Sequence, residues 1–237
     1  MGLPAIRRRR AEANTPDVAE LWYRSAMDDA AAGNPLSEQI VALYERHARD
    51  WDADRGRDLF EKPWLDRFIA LLPRGGSILD IGCGSAEPIS RYLIEQGFRP
   101  TGVDSSPTLI ALCRARFPEQ TWAVADMRTL ALEQRFDGLI AWDSFFHLSH
   151  AHQRRMFPVF RQHAAPGAAL LFTTGSAHGE AIGSYRGEPL YHASLAEAEY
   201  RALLAANGFA VARHVAEDED CGGHTVWLAQ LNPTAVP

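Results

Sequence analysis

The sequence lacks the features that mark membrane, secreted and disulfide-stapled proteins. None of its apolar runs approaches the ~20 residues that a membrane-spanning helix needs. It contains only three cysteines, an odd and scattered set that offers no disulfide framework. No apolar stretch follows the arginines at 7–10, so we expect no secretory signal. Together these absences favour a protein of the reducing cytoplasm.

The sequence also has fewer positively than negatively charged residues. The 237 residues hold 24 lysines and arginines against 30 acidic residues, which gives a net charge of −6. Nucleic acids bind through clustered positive charge, so we expect no nucleic-acid partner and no membrane partner. The arginine run at 7–10 is the exception. It would suit a nucleic-acid or membrane arm, but a solvated, disordered tail is the commoner role of such a segment.

The length suits one domain with a single core and a helical addition. We predict a disordered tail over 1–15, a helical cap over 16–76 and a core over 77–237. Apolar residues at helical spacing predict the helices of the cap. They are expected at 16–32, from Ser37 to about Trp51, and at 59–72.

From residue 77 onward, short apolar strands alternate with helices. The predicted strands are 77–81, 101–103, 121–124, 136–142 and 168–173, and the predicted helices are 88–96, 107–116, 151–163 and 195–206. Alternation of this kind predicts a parallel sheet covered by helices on both faces. The last two strands, 209–215 and 225–231, lie close in sequence and should form an antiparallel hairpin.

A glycine loop follows the first predicted strand. Residues 78–88 read Ile-Leu-Asp-Ile-Gly-Cys-Gly-Ser-Ala-Glu-Pro, a buried strand that runs through a loop into a helix. Gly82 and Gly84 let the backbone approach a ligand closely. In open α/β sheets, such a loop at the carboxyl end of a strand forms the usual nucleotide crevice.

Carboxylates stand at the ends of four consecutive predicted strands. They are Asp80, Asp104, Asp126 and Asp143. Asp104 comes 22 residues after Gly82, where an acidic side chain accepts hydrogen bonds from ribose hydroxyls. Any one of these aspartates is explained as a turn former. All of them beside a glycine loop favour a ligand site along one edge of the sheet.

These motifs resemble those of the class I S-adenosylmethionine-dependent methyltransferases and occur in the same order. Residues 80–87 resemble the family's first motif, 102–107 its second and 125–127 its third; 136–142 resemble its fourth strand and 165–171 the turn into its fifth. The similarity covers about residues 40–231. The departure is Ala86, where the family usually has a third glycine. Because alanine is small, we expect a slight shift of the loop and not a loss of binding.

The resemblance implies a fold and an activity. The fold is a doubly wound α/β arrangement (Rossmann-like) with a seven-stranded, mostly parallel sheet in the order 3-2-1-4-5-7-6, an antiparallel last strand and an N-terminal helical lid. The activity is transfer of the sulfonium methyl group of S-adenosylmethionine to an oxygen, nitrogen, sulfur or carbon atom of a small molecule. The protein then mainly supplies alignment and excludes water.

The resemblance also assigns the cofactor-binding residues. They are Asp80, Gly82, Cys83, Gly84, Asp104, Ser105, Asp126, Met127 and Trp142. Asp80 would lie near the ammonium group, Asp104 would hold both ribose hydroxyls, and Asp126 would face the adenine amino group. Tyr44 and Trp51 would close over the sulfonium, where aromatic rings suit a cation. Both also fit the apolar stripe of a helix packed on the core.

His147 is the candidate catalytic base. It follows the fourth predicted strand, and histidine is the natural base near neutral pH. The alternative is a structural histidine bonded to a backbone carbonyl. Residues 176–194 interrupt the regular pattern, which predicts an irregular substrate loop. The candidate substrate-binding residues are Trp22, Tyr23, Phe146, His178, Tyr185, Arg186, Tyr191 and His192. Arg186 would meet a substrate carboxylate or lie on the surface.

A metal site is the weaker interpretation of the remaining histidines. Cys221 and His224, together with His178 and His192, match no standard zinc spacing, so we predict no metal. We interpret 222–223 as a tight turn between the last two strands.

Three other functions remain open at this point. A nicotinamide-dependent oxidoreductase shares the fold, but its fingerprint requires glycine at position 87, where this chain has glutamate. A non-catalytic cofactor-binding regulator would carry the same motifs. A nucleic-acid or protein methyltransferase is less favoured, because the sequence has neither an Asn-Pro-Pro-Tyr-like motif nor a basic face. The protein is expected to be a monomer or a homodimer.

Overall fold

The computed structural model describes residues 34–233. The predicted tail, the predicted helix at 16–32 and the arginine run lie outside the described residues, as do Trp22 and Tyr23. Three helices precede the sheet: α1 (Ile40–Arg46), α2 (Ala48–Asp54) and α3 (Lys62–Ile69). No helix among residues 34–233 is long and apolar enough to cross a membrane.

The remaining elements alternate as predicted, except for two additional strands, β6 and β7. The strands are β1 (Ser77–Ile81), β2 (Arg99–Asp104), β3 (Thr121–Val124), β4 (Phe136–Ala141), β5 (Ala164–Thr174), β6 (Gly179–Tyr185), β7 (Glu188–Ser194), β8 (Phe209–Asp218) and β9 (His224–Leu231). The helices are α4 (Ile89–Glu95), α5 (Pro107–Arg116), α6 (His150–His163) and α7 (Glu197–Ala206).

The main sheet has seven strands in the order β3-β2-β1-β4-β5-β9-β8. The strands from β1 to β5 pair in parallel, and β9 runs antiparallel to both β5 and β8. With the separate pair β6–β7 set aside, this is the predicted order 3-2-1-4-5-7-6, which is confirmed. The chain reverses its direction across the sheet between β1 and β4, and ligands bind at such a switch point in open α/β sheets.

The central strands of the sheet are buried on both faces. Leu79 of β1 packs into one apolar cluster with Phe157 of α6 and Tyr200 of α7. Its neighbour Ile78 points to the other face, where it packs with Phe68 of α3. Alternate residues of a strand face opposite sides, so a strand covered by helices on both sides reads as a continuous apolar run. This explains why β1 could be located from its sequence.

The region at 176–194 is not irregular, and that prediction is wrong. It forms the two-stranded antiparallel sheet β6–β7. Its turn is made by Arg186 and Gly187, whose φ angles of 50° and 82° are both positive, as a tight hairpin turn requires. Arg-Gly is not one of the common turn pairs. In addition, β6 is largely exposed, so it shows no apolar alternation that would reveal a strand.

The cap helices also differ from the prediction. The second predicted helix is interrupted at His47, where the backbone leaves helical geometry between α1 and α2. Its first turn begins at Pro35 and not at Ser37, because the Asn34 side chain caps it by accepting a hydrogen bond from the Leu36 N–H at 3.0 Å. The helix predicted at 59–72 is shorter at both ends than expected.

A close approach inside the sheet gives a prediction for stability. A Cβ atom at Gly102 of β2 would lie 2.3 Å from the Trp122 ring and 2.8 Å from the Cys83 sulfur. We therefore expect Gly102→Ala to lower the free energy of unfolding by about 1–3 kcal/mol, measured by urea denaturation. Gly56→Ala is the control, since the nearest atom to its added methyl group is 4.0 Å away. Equal losses in the two variants would contradict the packing argument.

Candidate active site

A cleft opens at the carboxyl ends of β1 to β4, beneath α1 and α2. It encloses about 1140 Å³, including its open mouth. All the residues assigned to cofactor binding by resemblance line it: Asp80, Gly82, Cys83, Gly84, Asp104, Ser105, Asp126, Met127, Trp142, Tyr44 and Trp51. His147 and Asp143 line it as well. The carboxyl ends of parallel strands meet at one edge of a sheet, and this brings such distant parts of the chain together.

The glycine loop after β1 has a conformation that disfavours side chains. Gly82 and Gly84 have φ angles of 77° and 54°. A Cβ atom on Gly82 would lie 2.3 Å from the Cβ of Ser144, whereas the space over Gly84 is open as far as the indole of Trp51. Ala86, the departure from the family pattern, also has a positive φ, of 67°. The chain therefore keeps the loop conformation at a position where glycine would adopt it more easily.

Two buried aspartates flank this loop. Asp104 accepts hydrogen bonds from the backbone N–H of Gly84 at 3.0 Å and of Ser106 at 2.9 Å. Each carboxylate oxygen has a further lone pair, so Asp104 can still accept from two hydroxyls of a ligand. Asp80 accepts from the Ser90 hydroxyl at 2.6 Å. Burial raises the pKa of both aspartates to about 6.

These raised pKa values predict how ligand binding depends on pH. A ligand that donates hydrogen bonds to Asp104 and places a cation near Asp80 needs both groups ionised. We therefore expect the affinity for S-adenosylhomocysteine to fall by at least about tenfold between pH 7 and pH 5, measured by calorimetry. A constant affinity over this range would contradict the assignment.

The loss of affinity is distinguishable from unfolding. The folded-state pKa of these two carboxyl groups lies above its unfolded value. Between about pH 6 and pH 4 the folded state therefore holds protons that the unfolded chain has released. These groups then stabilise the ligand-free protein as the pH falls, which a urea titration at each pH would register.

Asp126 and Asp143 line the same edge but carry partners of their own. Asp126 pairs with the Arg128 guanidinium at 2.7 Å. Asp143 accepts a hydrogen bond from Nε2 of His224 at 2.9 Å. Burial acts to lower the pKa of His224, but the hydrogen bond and the charge of Asp143 outweigh it and raise the pKa overall. Sequence reasoning missed this pair, because its members lie 81 residues apart with no motif to join them.

His147 and Tyr44 form a hydrogen-bonded pair at the cleft wall. The Nδ1 atom of His147 lies 2.8 Å from the Tyr191 carbonyl oxygen, which only accepts, so Nδ1 carries the proton. Its Nε2 atom therefore accepts from the Tyr44 hydroxyl at 2.9 Å. Burial lowers the pKa of His147 to about 4 and raises the pKa of Tyr44 above its ordinary value. Both groups are neutral at physiological pH.

The cap helices are fixed to the core by charged side chains. Glu45 of α1 accepts hydrogen bonds from the hydroxyls of Ser106 and Thr108 at the start of α5. Asp52 of α2 forms a two-pronged pair with the Arg116 guanidinium, at 2.6 and 2.7 Å. These contacts hold Tyr44 and Trp51 over the cleft, with their rings edge to face at 5.2 Å.

None of the predicted substrate-binding residues within 34–233 lines the cleft, and Trp22 and Tyr23 lie outside this range. Tyr185 and Arg186 both bond to Asp54 of the cap, so the carboxylate that Arg186 meets belongs to the protein itself. Tyr191 is buried and its hydroxyl donates to Glu180 at 2.8 Å. His178 stacks on His150 instead.

Two of the predicted substrate-binding residues, Phe146 and His192, contact His147 of the cleft wall. Their rings pack around His147, with ring centres 4.8 Å from it in both cases. They stand behind His147 and not in the cleft. Among residues 34–233, no group of three or more histidines, cysteines or carboxylates is arranged to hold a metal ion.

The fold is the doubly wound arrangement of the class I S-adenosylmethionine-dependent methyltransferases, as the motifs predicted. More narrowly, residues 78–167 match the family described as "Methyltransferase domain". That segment runs from β1 through the glycine loop and β4 into β5, and it contains most of the cleft.

Two curated relatives match parts of the chain. A dTDP-4-amino-2,3,4,6-tetradeoxy-D-glucose N,N-dimethyltransferase of Saccharopolyspora spinosa is 26% identical over 132 residues, which are 55% of this chain and 50% of that protein. A trans-aconitate 2-methyltransferase of Escherichia coli O1:K1 / APEC is 39% identical over 67 residues, 27% of this chain and 26% of that protein. The chain thus matches half or less of the length of these relatives.

Solved structures share the fold over nearly the whole chain. A Burkholderia thailandensis 1,6-didemethyltoxoflavin-N1-methyltransferase, solved with bound 1,6-didemethyltoxoflavin and S-adenosylhomocysteine, has a TM-score of 0.62 at 20% identity. The match covers 94% of each chain. An S-adenosylmethionine-bound amino pentose methyltransferase from Micromonospora echinaspora has a TM-score of 0.60 at 18% identity, over 93% of this chain and 99% of that one.

Proposed function

We propose that this protein transfers the sulfonium methyl group of S-adenosylmethionine to an oxygen, nitrogen, sulfur or carbon atom of a small molecule by in-line displacement. The observation that carries the proposal is the cleft itself. It gathers a glycine loop, strand-end carboxylates and an aromatic roof at the switch point of the sheet. A nicotinamide oxidoreductase is not favoured, because Glu87 occupies the third glycine position of that fingerprint and the family match is to methyltransferases.

The donor and acceptor groups of the cleft fit this cofactor. Asp104 keeps free lone pairs for two ribose hydroxyls. A bound ammonium group near Asp80 would favour the ionised form of this buried carboxyl group. Asp126 would face the adenine amino group with Met127 against the ring. Gly82, Cys83 and Gly84 would border the methionine part, with Ser105 and Trp142 beside them. When bound, the cofactor supplies a methyl group already activated on a cationic sulfur.

The chain's own contribution is alignment, exclusion of water and proton transfer. Tyr44 and Trp51 present rings to a cationic centre and cover the cleft. We assign removal of a proton from the methyl acceptor to the Tyr44–His147 pair. The Tyr44 oxygen would take this proton while its own hydroxyl proton passes to Nε2 of His147, over the 2.9 Å hydrogen bond. His147 then acts through Tyr44 and not by touching the acceptor.

The acceptor is proposed to be a small molecule. The matched relatives and structural neighbours are named for small acceptors, among them an amino sugar, an organic acid and a toxoflavin precursor. The acidic composition argues for the same choice and against a nucleic-acid or membrane partner. We propose a cytoplasmic protein, monomeric or homodimeric. Its three cysteines are buried and unpaired, as a reducing compartment allows.

A transfer assay tests the proposal. The purified protein is incubated with methyl-labelled S-adenosylmethionine and a small-molecule metabolite extract, and the products are separated by size. We expect label in the low-molecular-weight fraction, and no such label with Asp104→Ala. Label confined to added protein or nucleic acid would overturn the acceptor class. Tight binding of the cofactor without any transfer would favour the regulator instead.

A further inference from the structure

The cleft is acidic, which suits only part of the proposed cofactor. Its wall carries Asp80, Glu87, Asp104, Asp126 and Asp143. These carboxylates complement a sulfonium and an ammonium group. They would repel the carboxylate at the methionine end of the same molecule, which needs a cation close by. The cationic side chains of the cleft therefore indicate where that end binds.

Among the described residues, two arginines line the cleft, Arg55 and Arg128. Arg128 is already committed, because its Nε and Nη2 atoms bond to Asp126 and its Nη1 atom bonds to Glu38 at 2.6 Å. His147 also lines the cleft, but its Nδ1–H is held by a carbonyl and its Nε2 accepts from Tyr44. Arg55 is therefore the cleft arginine whose guanidinium still has N–H donors available to bind a ligand.

Arg55 stands at the correct end of the cleft. It follows the last residue of α2 and lies one helical turn beyond Trp51, whose indole covers Gly84 of the glycine loop. Its Nη2 atom bonds to Glu61. Among residues 34–233, its Nη1 atom reaches only the Gly56 carbonyl at 3.5 Å, and its Nε atom has no hydrogen bond. Its side chain is 16% exposed, so the remaining donors are fixed in place but accessible.

Glu61 explains how Arg55 is held. Its side chain is 0% exposed, and one of its carboxylate oxygens, Oε2, has no hydrogen-bond partner in the part of the chain that the structure describes. A buried carboxylate with an unused acceptor is costly and contributes little to stability. Its other oxygen accepts a hydrogen bond from the Arg55 guanidinium. The guanidinium carbon also lies 5.5 Å from the centre of the Phe60 ring. This pair keeps the Arg55 guanidinium at the cleft wall, although it requires the Glu61 carboxylate to be buried.

We propose that Arg55 binds the α-carboxylate of the cofactor's methionine end, and that Glu61 is the positioning residue that aims it. This inference rests on the proposed function and adds to it a residue from the segment between α2 and α3. Because Arg55 follows directly on the helix that carries Trp51, binding of the carboxylate would also hold the aromatic roof against the cleft.

The test compares two ligands that differ at the methionine end. S-adenosylhomocysteine carries the carboxylate, whereas 5′-methylthioadenosine has the same adenosine and thioether without the amino-acid end. We expect Arg55→Met to weaken S-adenosylhomocysteine by about 10- to 100-fold, as for loss of a charged hydrogen-bonded pair, and to leave 5′-methylthioadenosine within about twofold. Arg135→Met is the matched control, since Arg135 is exposed and does not line the cleft; it should change neither affinity.

Two further variants keep the result interpretable. Arg55→Lys retains the charge without the fork and should recover part of the lost affinity. Glu61→Gln should weaken S-adenosylhomocysteine less than Arg55→Met does and should spare 5′-methylthioadenosine. Binding of 5′-methylthioadenosine itself reports that each variant is folded.

Three outcomes would overturn the inference or its basis. An Arg55→Met variant that binds S-adenosylhomocysteine like the wild type would overturn it. A variant that loses both ligands equally would show a general effect on the cleft and would also overturn it. If the wild-type protein binds neither ligand, it is the proposed function that fails.

Discussion

Replacing Asp104 with alanine is expected to weaken the binding of S-adenosylhomocysteine by about 10²–10³-fold. The change removes a charged acceptor for two ribose hydroxyls. It also frees the backbone N–H groups of Gly84 and Ser106, which the carboxylate now holds at 3.0 and 2.9 Å. The glycine loop would then be held to β2 only by its backbone hydrogen bonds to the Val103 carbonyl. Titration calorimetry near neutral pH measures the effect directly.

The comparison needs two more variants. Asp104→Asn retains the shape and one acceptor oxygen, so its loss should be smaller than that of Asp104→Ala. Glu119→Gln removes an exposed carboxylate that lies outside the cleft and should bind normally. An Asp104→Ala protein that is folded by circular dichroism and binds with wild-type affinity would refute the ribose role.

Replacing His147 with alanine is expected to lower kcat by ~10²–10⁴-fold while cofactor affinity stays nearly intact. The reason is the hydrogen bond from Tyr44, which leaves Nε2 of His147 as the acceptor for a proton passed through the phenol. Steady-state kinetics with a methyl acceptor, together with calorimetry for the cofactor, separates the two effects. The exposed His178, stacked on His150, supplies the control variant His178→Ala.

Tyr44→Phe tests whether the pair acts as a unit. If the proton passes from Tyr44 to His147, the double variant should be little slower than either single variant, because both steps belong to one path. Burial also lowers the pKa of His147 to about 4, so protonation of His147 should not limit kcat at pH 5. A fully active His147→Ala enzyme would leave His147 as a structural residue bonded to the Tyr191 carbonyl.

The parts of the fold that could be predicted from the sequence have local signals. The bounds of β1 and β3 match the prediction because each is a short apolar run between turn residues. Helix α5 begins at Pro107 under the Ser106 cap, as predicted, with the Leu109 N–H donating to the Ser106 hydroxyl. The hairpin β6–β7 could not be predicted, since most of β6 faces solvent and its turn uses an uncommon pair.

The candidate site likewise has parts that could be predicted from the sequence and parts that could not. The glycine loop and the carboxylates could be placed together in advance, because strand order alone brings strand ends to one edge. The pairs Tyr44–His147 and Asp143–His224 could not, because they join residues 103 and 81 positions apart and depend on how the cap and the last strand pack. The substrate role of the residues from His178 to His192 was predicted from an irregular loop, whereas most of that segment forms the hairpin β6–β7.

Titration calorimetry of the wild-type protein with S-adenosylhomocysteine tests the central claim most directly. We expect saturable binding of one ligand per chain, tighter near neutral pH than at pH 5. An absence of saturable binding by folded wild-type protein, near neutral pH, would contradict it.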